Sequence, residues 1–181
     1  MSLSSIAVIT ILVIILKNIG YERLFCGDYL YDLGRLMMSF SVFWMYTWVS
    51  QHLLIWYSNI PDETSYYVLR HSGAWGYVTF LNVILNWLAP FVMLLPRGSK
   101  RSEWVLLQAA ICILIGHWLD LYIMVMPAAF PASPPFGIWE VGTGAGSLSL
   151  CFWVIFRVLA GRNLVPIKDP YLVESLGHIS E

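Results

Sequence analysis

Charge is what this sequence has least of. Only 12% of its 181 residues are charged, and the 10 basic and 11 acidic side chains nearly cancel. Soluble domains carry about 25% charged residues, so a soluble fold of this length would be left with much of its surface uncovered. A net charge of −1 also lacks the basic footprint of a nucleic-acid binder. Cysteine is scarce too. Cys26, Cys112 and Cys151 stand alone, and no C-x-x-C or C-x-x-C-H occurs. Iron–sulfur, structural-zinc and c-type haem sites are therefore not expected within the chain, nor is any other metal site. Cys112 and Cys151 read as small apolar fillers. Internal repeats and low-complexity runs are missing as well.

What the sequence does have is long apolar runs. Hydrophobic residues make up 59% of it, with nine Trp and ten Tyr, rings that suit the headgroup level of a bilayer. A transmembrane helix needs about 20 mostly apolar residues. Four segments qualify, at about 36–57, 75–95, 104–126 and 138–159, divided by the turn and charge signals Asn59-Ile60-Pro61-Asp62-Glu63, Pro96-Arg97-Gly98-Ser99-Lys100-Arg101, and Pro127 with Pro131, Pro134 and Pro135. A fifth, 3–16, opens the chain. Its rise of about 21 Å is short of the roughly 30 Å of hydrocarbon. It has no basic n-region or small-residue cleavage site, so it does not read as a signal peptide. It reads as the end of a helix begun upstream, and the chain as the C-terminal piece of something longer. The expected architecture is an all-α, up-and-down membrane bundle of about five helices over residues 1–160, followed by a polar tail over 161–181.

Lys and Arg set the expected orientation. Lys17, Arg23, Arg35, Arg97, Lys100, Arg101, Arg157, Arg162 and Lys168 fall on one side of the predicted topology and Arg70 alone on the other. The positive-inside rule then puts the C-terminus in the cytoplasm and the Pro61 and Pro131–Pro135 loops outside.

Polar residues inside the predicted spans recur at helical spacing. Tyr46, Thr47, Ser50 and Gln51 are placed on one face of the second helix. Thr79, Asn82, Asn86 and Pro90 follow in the third, and Gln108, Cys112, Gly116 and Asp120 in the fourth, with His117 one turn before Asp120. Glu140, Thr143, Gly144, Ser147 and Cys151 line the last. Residues at i, i+3 and i+4 share a face, so the pattern predicts a bundle with a polar interior. The small residues, including Gly142-x-x-x-Gly146, also fit simple packing seams. Asp120 and Glu140 fit seams poorly, because a carboxylate below the lipid surface costs a few kcal/mol unless paired, protonated or wetted.

His52, His117, Asp120 and Glu140 all fall in the predicted outer half of the membrane. Three readings follow: a proton relay, a quinone headgroup site with a donor and a proton acceptor, or a satisfied structural network. His52 alone reads more simply as an interfacial residue. A haem held by His52 and His117 is disfavoured, because the two differ by roughly 6 Å in depth. In the relay reading Asp120 is the central acid–base group, His117 its donor–acceptor partner and Glu140 an outer gate. Tyr46, Ser50, Gln51, Asn82 and Asn86 hold waters.

The stretch Leu30-Tyr31-Asp32-Leu33-Gly34-Arg35-Leu36 and the run at 43–64, with Ser50-Gln51-His52-Leu53-Leu54-Ile55-Trp56-Tyr57-Ser58-Asn59-Ile60-Pro61 at its heart, resemble the NrfD-like (polysulfide reductase membrane-subunit-like) family. So do Gly116-His117-Trp118-Leu119-Asp120-Leu121-Tyr122 and the tail Val165-Pro166-Ile167-Lys168-Asp169-Pro170-Tyr171. Within that family the chain is most similar to the C-terminal half of the ActF-type membrane subunit of alternative complex III, a quinol:cytochrome c oxidoreductase of bacterial respiratory chains. The resemblance implies a multi-pass subunit of the bacterial inner membrane that binds no cofactor itself. Its neighbours would be a sister NrfD-like membrane subunit and periplasmic iron–sulfur and haem-bearing cytochrome c-type subunits. It implies quinol as the substrate of the complex, proton-path duty for this subunit, and no catalysis by the chain alone. The competing expectation is a non-catalytic scaffold that docks neighbouring subunits. A secondary-transporter half would want discontinuous helices, and Pro90 is the one interior break in the pattern.

Overall fold

A computed structural model describes residues 2–21 and 27–161. Arg23, Cys26 and all of the expected tail after Gly161, including its family-like motif, lie outside them. The described residues form helices and connecting turns, with no strand among them. Seven α-helices follow in order: α1 (Ser2–Leu16), α2 (Gly27–Ser58), α3 (Pro61–His71), α4 (Gly73–Val83), α5 (Ala89–Leu94), α6 (Glu103–Ala129) and α7 (Ile138–Ala160). Among the described residues four segments are long and apolar enough to cross a membrane: Ser2–Gly20, Gly73–Leu94, Glu103–Ala129 and Ile138–Ala160. Helix α2, expected to be a fifth, is the longest at 32 residues. It falls below the other four in hydropathy because Trp, Tyr, Gln51 and His52 interrupt its apolar run.

The first segment is longer than its apolar run. A wide turn, Lys17–Tyr21, carries the chain past Leu16 before Gly20 ends it at φ 119°, a conformation glycine tolerates without strain. The span reaches 19 residues, about 28 Å, so the expected shortfall disappears. Lys17 could extend it because its amine is neutralised 2.5 Å from Glu103 on α6.

Residues 61–71, expected to be part of an outer loop, form helix α3. Pro61 sits in its first turn beside Asp62 and Glu63, and Arg70 and His71 close its last turn. That order places a residue with no N–H where none is needed and matches charge to the helix dipole at both ends. Helix α6 likewise departs from expectation. It continues through Pro127 to Ala129 instead of stopping at Met126.

The third span is discontinuous in hydrogen bonding though continuous in path. Between α4 and α5 a π-helical turn, Ile84–Leu88, has the Ala89 N–H reaching back five residues to the Ile84 carbonyl. The cause is Pro90, which has no N–H to offer the carbonyl of Asn86 four residues earlier. The orphaned carbonyl is satisfied from α2: the Ser41 hydroxyl donates to it at 2.6 Å, and Ser41 is wholly buried. In a lipid environment such a carbonyl would have no water to turn to.

Helices α1 to α6 belong to one compact unit ending at Pro134. Within it α6 touches α1, α2, α3, α4 and α5. Toward the N-terminal end of α6 the core is dry, built from Ala7, Ile11, Ile14, Leu30, Met37, Leu94, Leu106, Ala109, Ala110 and Ile113. Basic groups gather at that same end. Lys17 meets Glu103, Arg101 lies 3.8 Å from Asp28, and Arg35 and Arg101 both approach the Tyr31 ring. Many large apolar side chains point outward while Thr10, Ser41, Thr79, Asn82 and Asn86 are buried, an inversion that suits a lipid solvent. Helix α7 belongs to a second unit. Its first turn is closed by the Glu140 carboxylate, which accepts the Gly137 N–H at 2.9 Å.

Removing the Ser41 hydroxyl would strand the Asn86 carbonyl. Ser41→Ala is expected to destabilise the chain by about 1–3 kcal/mol. Ser39→Ala should cost less than about 0.5 kcal/mol, because the Ser39 hydroxyl bonds only its own exposed turn at the Arg35 carbonyl. Reversible unfolding in detergent, followed by circular dichroism, compares the two.

Candidate functional site: a polar chamber above an amide chain

The opposite end of the first unit holds the polar chemistry. Asp120 lies nine residues before the end of α6 at Ala129, about 13 Å of helix, which is deeper than the sequence suggested because the helix runs past Pro127. One oxygen of its carboxylate accepts the Asn82 amide N–H at 2.9 Å. The Asn82 side-chain oxygen accepts in turn from the Asn86 amide at 2.6 Å. The direction of this chain follows from its terminus. The Asp120 oxygen accepts, so Asn82 presents its NH₂ to Asp120 and its oxygen to Asn86. Asn82 and Asn86 are each about 1% exposed. The close approach depends on Gly116, where a methyl group would fall 2.8 Å from the Asn86 nitrogen.

Above Asp120 opens a cavity of about 200 Å³. Its floor is Asp120, Asn82 and Thr79. Its walls are Trp44, Thr47, Trp48 and Gln51 of α2 and Tyr66, Tyr67, Arg70 and His71 of α3, with Ile123 and Met124 of α6 closing the side. Helix α3 is pinned across it by two donors on one acceptor. The Met124 carbonyl receives the Tyr66 hydroxyl at 3.1 Å and the Arg70 guanidinium at 2.9 Å, in the turn that precedes Pro127. The guanidinium also lies 3.7 Å over the Tyr66 ring. Burial lowers Arg70 to about 10, with the Asp120 charge opposing the shift, so it remains a cation at neutral pH and compensates Asp120 across the chamber. Its Nε is buried and has no partner within the described residues. Burial raises the Tyr67 hydroxyl, which therefore stays protonated. A further link joins α4 to α3, as the Thr79 hydroxyl donates to the Arg70 carbonyl at 3.0 Å.

A second cavity, about 170 Å³, adjoins the first between α2 and α3. His52, Trp56, Asn59 and Thr64 line it, and Tyr67 and His71 are shared with the chamber. His52 stacks on Trp48 at 5.8 Å between centroids and lies 5.2 Å from the His71 ring.

Of the residues singled out in the sequence, Asn82, Asn86, Asp120 and Gln51 meet in this region and His52 borders it. Tyr46 does not reach it. Its side chain is 67% exposed and stacks on Phe43, and Ser50 is likewise absent from the chamber wall. The reason is angular. Positions 46 and 50 form a ridge about 100° around the helix from 47 and 51, so one stripe is really two. The Asn82 and Asn86 amides engage each other and Asp120, and Asn82 also lines the chamber. His117 is half-buried one turn away and does not line the chamber. Glu140 sits in the second unit, engaged with its own helix start. Tyr66, Tyr67, Arg70 and His71 were missed because their segment reads as a loop; the Pro61-Asp62-Glu63 opening and basic last turn were the signal for a helix there.

No protein-family model and no curated protein sequence matches the chain.

The amide chain makes a steric prediction. Gly116→Ala should displace the Asn86 side chain, cost about 1–3 kcal/mol and release Asn82 from its fixed orientation. Gly142→Ala on α7, where no atom lies near, should be neutral or stabilising by up to about 1 kcal/mol. Thermal unfolding of the two variants in detergent checks the contrast.

Proposed function

We propose that the chain is a membrane subunit, the C-terminal half of an NrfD-like protein, in a respiratory quinol-oxidising complex, and that its chamber is a proton half-channel ending at Asp120. The observation that carries this reading is a carboxylate held by Asn82 on the floor of a polar cavity that a half-buried Arg70 also lines. The Asn82 amide fixes that carboxylate on the chamber floor, where the cavity opens to it. The gathering of Lys17, Arg35, Lys100 and Arg101 at the other end supports an orientation with that end in the cytoplasm and the chamber facing outward. Quinol would be oxidised on that outer side, with haem and iron–sulfur clusters held by periplasmic partner subunits and electrons passing to cytochrome c or to an oxidase. Protons released there would equilibrate with Asp120.

A scaffold role is the second reading. It is favoured by Trp56 and Tyr57, 74% and 89% exposed where α2 ends, as a docking surface would present them.

Asp120→Asn keeps the shape and the Asn82 contact but removes the titrating group. In the assembled complex reconstituted into vesicles, it should abolish proton coupling to quinol oxidation while the complex still assembles. Normal coupling in that variant overturns the proton role. Under the scaffold reading Asp120→Asn and Glu140→Gln leave turnover unchanged, while Trp56→Ala disrupts assembly on native gels.

A further inference from the structure

The second cavity carries chemistry that the chamber reading does not use. His52 and His71 face each other there from α2 and α3, ring centroids 5.2 Å apart. Two imidazoles bound to one metal ion at about 2.0–2.1 Å in tetrahedral geometry place their centroids about 5 Å apart. The tautomer of His71 is fixed by its surroundings. Its Nδ1 lies 2.9 Å from the Tyr67 carbonyl, which can only accept, so Nδ1 carries a proton and, in the neutral ring, Nε2 is the nitrogen with the lone pair. A ring N–H given to a backbone carbonyl is how metal-ligating histidines are held. His52 contributes the complementary feature: its Nδ1 is buried with no hydrogen-bond partner. The Thr64 hydroxyl, lining the same cavity, is also buried and unpartnered. Both rings are held in place by stacking, His52 on Trp48 and His71 on Tyr67. The cavity, about 170 Å³, has room for an ion with bound water, and His71 is open to solvent.

We propose that His52 and His71 form a binding site for a divalent transition-metal ion of the zinc class, with water and the Thr64 hydroxyl completing the shell. No group of three or more His, Cys, Asp or Glu gathers among the described residues, so the site is an exchangeable one with two protein nitrogens, unlike a closed structural centre. Its consequence rests on the proton half-channel reading. His71 also walls the Asp120 chamber, so an ion on its Nε2 narrows the mouth and slows proton exchange with Asp120.

Co²⁺ titration of the full chain in nanodiscs tests the site, because a nitrogen-ligated tetrahedral Co²⁺ absorbs visibly and Zn²⁺ displaces it. One Co²⁺ per chain is expected. His52→Gln and His71→Gln, which keep polar volume, should each weaken binding by about tenfold or more, whereas His117→Gln and His178→Gln should bind as the unchanged chain does. Circular dichroism and gel filtration confirm that the variants fold. Absence of stoichiometric Co²⁺, or unchanged affinity in either His52→Gln or His71→Gln, overturns the site. The two readings fail separately. Lost coupling in Asp120→Asn without Co²⁺ binding removes the metal site alone. Co²⁺ on the histidine pair with normal coupling in Asp120→Asn keeps the metal site and removes its proposed effect on proton exchange.

Discussion

The hydrogen bond from Asn82 to Asp120 is the constraint around which the first unit is arranged. A carboxylate about 13 Å inside a helix end needs donors that cannot leave, and the structure supplies them in series. Asn86 orients Asn82, Asn82 orients Asp120, and Gly116 leaves the space in which this happens. The register of Asn86 is set further back. Pro90 forces the π-helical turn, the turn frees the Asn86 carbonyl, and Ser41 takes that carbonyl from the neighbouring helix. A break that would weaken an isolated helix is here the means by which α2, the third span and α6 are tied at one level. The cost of the lost backbone bond is offset by a buried hydroxyl contact that could form nowhere else.

Helix α3 answers the charge that this arrangement buries. Arg70 is the single basic residue outside the basic side of the predicted topology, and positive-inside reasoning treats it as an exception to be counted. In the structure it is the counter-charge of the chamber. It spans from the Tyr66 ring to the Met124 carbonyl and remains charged although half-buried. A lone arginine against a strong charge bias is therefore better read as a functional candidate than as noise, since here its guanidinium reaches the Met124 carbonyl and the Tyr66 ring at the chamber wall.

Much of this was legible in the sequence, and the failures are instructive. The spacing of Asn82, Asn86, Gly116 and Asp120 pointed to two helix faces that do meet, because long-range packing in a membrane follows small and polar residues. Tyr46 and Ser50 were grouped with Thr47 and Gln51 although 100° separates the two ridges; polarity alone cannot say which of two adjacent ridges turns inward. In the structure Tyr46 stacks outward on Phe43 while Trp44 and Trp48 flank the chamber. Helix α3 was hidden for another reason. Its turn signals, Asn59 at φ 47° and Pro61, are real, but they start a helix as readily as they end one, and its apolar content is too low to register as a span. A histidine in a loop, as His71 reads from the sequence, has no predicted partner.

The chemistry of the amide chain also limits what the chamber can do. Carboxylates, imidazoles and water pass protons on; side-chain amides near neutral pH do not, and each amide here has a fixed orientation. Beyond Asn86 the interior is filled by Leu94, Ala109, Ala110, Ile113 and Met37, all buried. A proton that reaches Asp120 from the chamber therefore meets no titratable side chain in the amide chain or among those buried apolar residues. On the proposed reading that dead end is useful. A carboxylate in contact with one side only can buffer or relay protons for a reaction at that face without short-circuiting the gradient across the membrane. Any full crossing would have to leave Asp120 sideways, past a residue such as His117 on the adjacent face of α6 or through a neighbouring subunit, and the direction of that exit would decide whether the subunit stores protons or moves them.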